Sequence, residues 1–390
     1  MIDSIKIQNF KSIVNLELPL GRFNVIIGPN GCGKSNILEA ISMASAASQD
    51  KLDNEYLVNR DIRVSDAKFM VNAFEDNEEE ESDIASSSGD VISIQVKAPS
   101  SSFLCQLRYE ESSKKWINYS SIFSKSLRDL LSLSLDNDIS KKNLVDDLTA
   151  KLAEVNISID ELKKSVEKLS TSAPELTSFL TYRPSEHFLR KTFDSSLFPL
   201  GVHGEGLLKY LKEIAEEDKV DLFDEINNGL SLLDWFDGFN IPDNLLTNEY
   251  RLTIGDRYLK DSLHFFDQRS TNEGFLFLLF YLTLFNSKDT PRFFAVDNIE
   301  SALNPKLMTR LIEYLVERTI ANDNQVIVTT HSPFVLDGLD LENDDIRLFV
   351  ARRDIDGHTR IERVPYRADR TMKLSQLWMS GLIGGLPDNF

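Results

Sequence analysis

Residues 28–35, Gly28-Pro29-Asn30-Gly31-Cys32-Gly33-Lys34-Ser35, satisfy the pattern G-x-x-x-x-G-K-[ST] in full. Such a run cradles phosphate. Its glycines let successive backbone N–H groups turn inward around an anion, and the helix after it adds the positive end of its dipole. In that geometry Lys34 reaches the β- and γ-phosphates of a nucleoside triphosphate, Ser35 binds Mg²⁺ through its hydroxyl, and Asn36 enters the first helical turn beside them. Far downstream, Phe293-Phe294-Ala295-Val296-Asp297 is an apolar strand ending in a carboxylate, the Walker B arrangement. Asp297 is expected next to Ser35 as a second magnesium-binding group. Gln325 to Thr330 is another apolar run, and it delivers His331, followed by Ser332-Pro333, at the C-terminal end of a strand, where doubly wound sheets bind ligands. The cofactors implied are ATP and Mg²⁺.

These groups can cooperate only if their strands lie side by side. Phe23 to Ile27 is almost wholly apolar and ends at glycine, as expected of a strand buried on both faces, and Ser35 to Ala47 continues as a helix. Ahead of them Ile5, Ile7, Val14, Leu16 and Leu18 alternate as a hairpin. Further strands are expected at Ile62 to Phe74, Val91 to Val96 and Phe103 to Glu110, forming a β-rich lobe. From Ser121 to Leu169 the apolar residues fall mainly three, four or seven apart, which predicts a compact helical hairpin, too short for a long coiled-coil arm. The chain then alternates: strand Arg251 to Ile254, helix Glu273 to Leu284, strand Phe293 to Val296, helix Pro305 to Arg318, strand Gln325 to Thr330. Alternation of this kind implies a mostly parallel sheet covered on both sides. The expected class is α/β, a P-loop NTPase head with a β-rich lobe and a helical insertion. Its parts are residues 1–120, an insertion over 121–248, and a return to the head over 249–390.

Composition narrows the function. The net charge of −19 argues against a protein coated in nucleic acid, since phosphate neutralisation needs clustered Lys and Arg. Much of the acidity sits in Glu75 to Asp83, read as a solvated loop. Two cysteines, Cys32 and Cys105, cannot build a disulfide framework and fit a reducing cytoplasm. The opening Met1-Ile2-Asp3-Ser4 lacks a basic stretch, and the longest apolar run, Phe275 to Phe285, is shorter than the roughly 20 residues of a spanning helix. Neither export nor a membrane partner is expected.

The order Asn9-Phe10-Lys11-Ser12, P-loop, Asp297-Asn298-Ile299-Glu300-Ser301-Ala302-Leu303-Asn304-Pro305, then Thr329-Thr330-His331-Ser332-Pro333 resembles the RecF- and SMC-like branch of ABC-type ATPases. More narrowly it is similar to the short, armless AAA-type ATPases related to the ATPase half of OLD-family proteins, many of which serve anti-phage systems. The resemblance implies that Ser301 to Pro305 is a D-loop crossing a dimer interface and that His331 is a switch histidine sensing the γ-phosphate. It also implies that Arg269 to Gly274 is a degenerate signature motif, with Asn272 and Gly274 facing a partner subunit's nucleotide. Two departures stand out. Asn272 replaces the usual signature serine, and Asn298 replaces the glutamate that polarises attacking water, leaving Glu300 as the second acidic position of the pattern. An amide cannot accept a proton as a carboxylate does.

The leading expectation is a slowly hydrolysing ATPase that works as a nucleotide-dependent homodimer, or higher homo-oligomer, and controls a separate effector such as a nuclease or toxin. The alternative is a RecF-class repair ATPase binding DNA or RNA through Lys114-Lys115, Lys141-Lys142, Arg190-Lys191 or Arg352-Arg353. A self-contained nuclease has one candidate metal pair, Asp354 and Asp356, but Asp354-Ile355-Asp356-Gly357 reads as a hairpin turn. Lys34→Ala is expected to abolish ATP binding, because a phosphate cluster would lose its principal point charge. Calorimetric affinity equal to that of the unchanged protein would contradict the P-loop assignment.

Overall fold

The computed structural model describes residues 1–74, 91–121, 174–192, 195–217, 220–242, 246, 249–260, 263 and 265–386. The acidic run Glu75 to Asp83, nearly all of the expected helical hairpin and Lys141-Lys142 lie outside these residues. In chain order the elements begin with β1 (Ser4–Phe10), β2 (Ile13–Pro19), β3 (Phe23–Ile27) and α1 (Lys34–Ser48). Short helices α2 (Asn54–Val58) and α3 (Ala67–Met70) lead to β4 (Ile92–Ala98), β5 (Ser101–Glu110) and β6 (Lys115–Asn118). Then come α4 (Pro174–Thr177), β7 (Leu180–Tyr182), α5 (Glu186–Arg190), α6 (Leu207–Glu216), α7 (Val220–Leu230), β8 (Phe236–Asn240), β9 (Thr253–Asp256) and β10 (Phe266–Asp267). The last part holds α8 (Glu273–Asn286), β11 (Phe293–Val296), α9 (Pro305–Ala321), β12 (Gln325–Thr330), α10 (Pro333–Leu336), β13 (Ile346–Arg353), β14 (Thr359–Val364) and α11 (Leu374–Met379).

The main sheet runs β14-β13-β3-β12-β11-β7, parallel throughout except for the edge strand β14. Register aligns the chemistry. Ile27 pairs with Thr330, and Val296 pairs with both Val328 and Tyr182, so Gly28, His331, Asp297 and Arg183 all emerge at one edge. Period-two alternation divides the sheet's side chains between two cores. Val25, Ile27, Phe294, Val296 and Val328 face α6 to α9, whereas Ile26, Phe293, Ala295, Ile327 and Phe349 face α1. Beyond α1 lies the antiparallel lobe sheet β2-β1-β4-β5-β6, so α1 is covered on two sides and most of it is buried. The apolar run Phe275 to Phe285 is buried along its whole length within α8. Each such large side chain contributes about 1.5–3 kcal/mol on leaving water, so α8 is a core helix and anchors the C-terminal half. Among the described residues no helix is long and apolar enough to cross a membrane.

Two expectations are corrected. Residues 62–74 do not form a strand: α3 occupies Ala67 to Met70, and a single bridge joins Val71 to Phe10. Ser65-Asp66 ends the alternation with turn-forming side chains. The segment 121–248 is not wholly a helical insertion either. Its part from 174 onward supplies β7 to the main sheet, and β8 to a small antiparallel sheet with β9 and β10. A three-residue strand carries too little pattern to be read as one.

Candidate nucleotide site

The P-loop is shaped by what lies beneath it. Gly28 and Gly33 take φ of +151° and +105°, and a Cβ there would meet the Ala351 carbonyl oxygen at 2.2 Å and Thr359 Oγ1 at 2.1 Å. The β13–β14 hairpin therefore sits directly under the loop and leaves room only for glycine. It also props the loop by hydrogen bonds. Thr359 Oγ1 donates to the Cys32 carbonyl (2.9 Å) and accepts from Ser12 Oγ (2.7 Å), while Arg353 Nε donates to the Gly31 carbonyl (2.8 Å). Asn36 Nδ2 reaches Ser12 Oγ at 2.8 Å, which ties the β1–β2 turn to the start of α1. Buried Glu39, one turn further on, accepts from Lys11 and Arg63.

Lys34 is buried and folds back into the loop, its Nζ donating to the carbonyls of Gly28 (2.7 Å) and Pro29 (3.1 Å). Burial pulls its pKa below the ordinary lysine value, against the pull of Cys32, Asp297 and Glu300 in the other direction. Anionic phosphate is the partner such a desolvated ammonium lacks.

Asp297 stands 3% exposed at the end of β11. Its Oδ1 accepts from the Thr329 hydroxyl; its Oδ2 accepts from Ser35 Oγ (3.2 Å) and from Arg183 through Nε (3.1 Å) and Nη2 (2.5 Å). Arg183 pairs through Nη1 with Asp61 as well. Burial works against the charge on Arg183, but Asp297, Asp61 and Glu39 outweigh it and raise its pKa. The hydroxyl of Ser35 and the carboxylate of Asp297 converge as hard oxygen donors, a set that suits Mg²⁺.

His331 and Glu300 meet across the sheet edge. Glu300 accepts from the Thr330 hydroxyl and from the His331 backbone N–H, each at 2.8 Å. Burial lowers the pKa of the His331 ring, and the Lys34 charge lowers it further, so the ring is neutral at pH 7. Asn298 is half-buried with φ of +57°, and its backbone N–H donates to Thr329 Oγ1 (3.0 Å).

Asn272 and Gly274 lie at the other end of the arrangement. Asn272 is the N-cap of α8, its side chain accepting from Phe275 N at 2.9 Å, and it is exposed. Gly274 abuts the turn after β11, where a Cβ would lie 3.1 Å from the Ala302 carbonyl oxygen. Among the described residues neither hydrogen-bonds to the P-loop.

Sequence reading misses Arg183 and Thr359, and places Thr329 and Thr330 in the motif before His331 without giving them a role. The two threonines before His331 do carry a signal, since polar residues end an otherwise apolar buried strand. Arg183 carries none, because its closeness to Asp297 comes from pairing between segments over a hundred residues apart. Two of the basic doublets within the described residues have an arginine already engaged. Arg190 is spent on the carbonyls of Gln268, Arg269 and Thr271, and Arg352 pairs with Glu362. Asp354 and Asp356 fall in the β13–β14 turn with His358; Asp354 there accepts from two backbone N–H groups and Arg360.

A family described as "AAA domain, putative AbiEii toxin, Type IV TA system" matches residues 23–337, from the P-loop strand to just past His331. The chain belongs to this family. A 43-residue stretch is 42% identical to the OLD nuclease of Thermus scotoductus, covering 11% of this chain and 8% of the nuclease. A stretch of 79 residues is 35% identical to Structural maintenance of chromosomes protein 1 of Arabidopsis thaliana, covering 20% of this chain and 6% of that protein. These matches span less than a tenth of either relative. The fold is similar to an SMC head crystallised with the C-winged helix domain of ScpA, with a TM-score of 0.53 over 93% of this chain and 98% of that one at 14% identity. This AAA domain thus has the fold of an ABC-type ATPase head.

Because His331 is held neutral beside Lys34, phosphate placed on Lys34 should raise the histidine's pKa. Nucleotide binding near pH 6 is therefore expected to take up protons, read by calorimetry in buffers of different ionisation enthalpy. His331→Gln should remove that uptake; equal uptake in both proteins would contradict the placement of His331 at the phosphates.

Proposed function

We propose that this AAA domain is an ATP·Mg²⁺-dependent switch: two copies enclose two nucleotides head to tail, and the resulting geometry controls a separate effector, a nuclease or toxin, in anti-phage defence within the cytoplasm. The observation that carries this reading is the shared surface of Asn272, Gly274 and the D-loop. An exposed end of a fourteen-residue helix, packed on Ala302 and detached from its own P-loop, is half a site without its other half. Its first-turn backbone N–H groups and positive dipole suit the phosphate of a second chain. The family description, with its toxin and TA system, and the stretch similar to OLD nuclease support an effector partner.

Lys34, Ser35 and Asp297 would hold the phosphates and metal, and His331 would read the γ-phosphate. Mg²⁺ would neutralise phosphate charge when bound. Glu300 is oriented by the Thr330 hydroxyl and the His331 amide, which joins it to the switch strand. Asn298 stands where water would be polarised and has no proton-accepting group. Losing a general base costs about 10²- to 10⁴-fold in rate, about 3–5 kcal/mol of barrier, without loss of binding. ATP is then chiefly a ligand, and its differential affinity for engaged and disengaged states sets how far the equilibrium moves.

A second reading, a RecF-class ATPase binding DNA, is favoured by one observation. Arg352, Arg363, Arg367 and Arg370, with Glu362 and Asp369 among them, line a cleft of about 620 Å³ in a chain whose net charge is −19. DNA binding by the isolated chain that weakens steeply with salt would select it.

Sedimentation with a non-hydrolysable ATP analogue should convert monomer to dimer, and Lys34→Ala should stay monomeric. A wild-type chain still monomeric at saturating nucleotide would sink the composite-site model. Single-turnover hydrolysis should be slow in wild type and faster in Asn298→Glu. Glu300→Gln should abolish the residual rate if Glu300 has taken over water activation, whereas rapid wild-type turnover insensitive to it would reveal another base.

A further inference from the structure

A carboxylate offers about four lone-pair sites. Four donor atoms surround the Asp297 carboxylate: Thr329 Oγ1 on Oδ1, and Ser35 Oγ with Nε and Nη2 of Arg183 on Oδ2. Three of these converge on Oδ2, the oxygen turned toward Ser35. One of the donors is a full positive charge. A divalent ion approaching Ser35 and Asp297 meets a guanidinium already seated on the oxygen it needs.

Arg183 is placed there by backbone register. Asp297 N donates to the Tyr182 carbonyl at 2.9 Å, so the residue after β7 must stand beside the residue after β11. Unlike Asp297, its side chain is about one-third exposed, at 34%, and so has somewhere to go. Nη1 is tethered to Asp61, and His203 Nδ1 lies 3.0 Å from the Arg183 carbonyl oxygen, with its Nε2 3.8 Å from Asp61. These contacts fix the backbone and the far end of the guanidinium while Nε and Nη2 stay transferable. A bound triphosphate brings oxygens that accept the same planar fork a carboxylate does.

We propose that Arg183 is a resident cation on the Asp297 carboxylate, which keeps a divalent metal out until the phosphates of a bound nucleotide draw the guanidinium away; this rests on the nucleotide reading above. Metal loading is then conditional on nucleotide. A bare metal binds the site weakly, and metal and nucleotide bind with positive coupling, which linkage makes reciprocal.

The test titrates Mn²⁺ into the full chain and follows the free ion by electron paramagnetic resonance, with and without a non-hydrolysable ATP analogue. Without nucleotide, Arg183→Gln should bind Mn²⁺ about tenfold more tightly than wild type, and Arg183→Lys, which keeps the charge but loses the fork, should fall between. Asp297→Asn in the Arg183→Gln background should abolish that gain. With saturating analogue, the advantage of Arg183→Gln should shrink to within about threefold. Equal or weaker nucleotide-free affinity in both Arg183 variants would overturn the proposal while leaving the nucleotide reading standing, provided wild type binds Mn²⁺ with the analogue. Should wild type bind no Mn²⁺ even with the analogue, the metal assignment falls and the proposal falls with it.

Discussion

Holding a carboxylate out of water at the end of β11 is the constraint on which the remaining arrangement turns. An ionised group as buried as Asp297 costs several kcal/mol unless it is paired and hydrogen-bonded. Its partners come from three other parts of the chain: Ser35 from α1, Thr329 from β12 and Arg183 from the end of β7. Meeting that requirement brings together four of the six strands of the main sheet at their C-terminal edge, because α1 continues directly from the loop after β3. The P-loop, His331 and the turn after Asp297 are then neighbours as a consequence.

How far the site is legible in the sequence differs from residue to residue. Gly28 to Ser35 announces itself, because the motif, the apolar strand before it and the helix after it are contiguous. Asp297 and His331 are legible for a related reason: each ends an apolar run, and their pairing comes from the rule that such strands lie parallel with ligands at the C-terminal edge. Arg183 is opaque. Leu180 to Tyr182 is too short to show a period, and only its register with Phe294 to Val296 sets Arg183 beside Asp297. Residues 62–74 mislead because their alternation is interrupted at Ser65-Asp66, and the resulting turn puts Arg63 on Glu39 rather than in a sheet. The hairpin at Asp354 to Gly357 is legible from turn chemistry alone, though its role beneath the P-loop, through Arg353 and Thr359, is not.

The two departures from the ATPase pattern have different structural meanings. Asn272 is an efficient substitution as a cap, since its side-chain oxygen closes the first turn of α8 and its amide N–H groups remain directed away from that bond. Asn298 is different. Its positive φ suits asparagine, and its backbone N–H is fixed by the same Thr329 hydroxyl that holds Asp297. The backbone at this position is thus held by the network around Asp297, while its side chain carries no proton-accepting carboxylate.

Rigidity is distributed unevenly around the site. Lys34 opens a helix enclosed between the main sheet and the lobe, so the groups that grip phosphate belong to the most constrained part of the molecule. The groups that would register what is bound sit instead on connections: Asn298 to Leu303 after β11, and Arg183 to Arg190 after β7. The second of these ends in α5, where Arg190 gathers the carbonyls of Gln268, Arg269 and Thr271 immediately before the Asn272 cap. The first carries the Ala302 carbonyl that Gly274 abuts. Both connections therefore run from Asp297 or its partner to the same exposed helix end. The α1 helix is enclosed between the main sheet and the lobe, whereas that helix end is exposed, so the surroundings of the carboxylate run from packed interior to open surface.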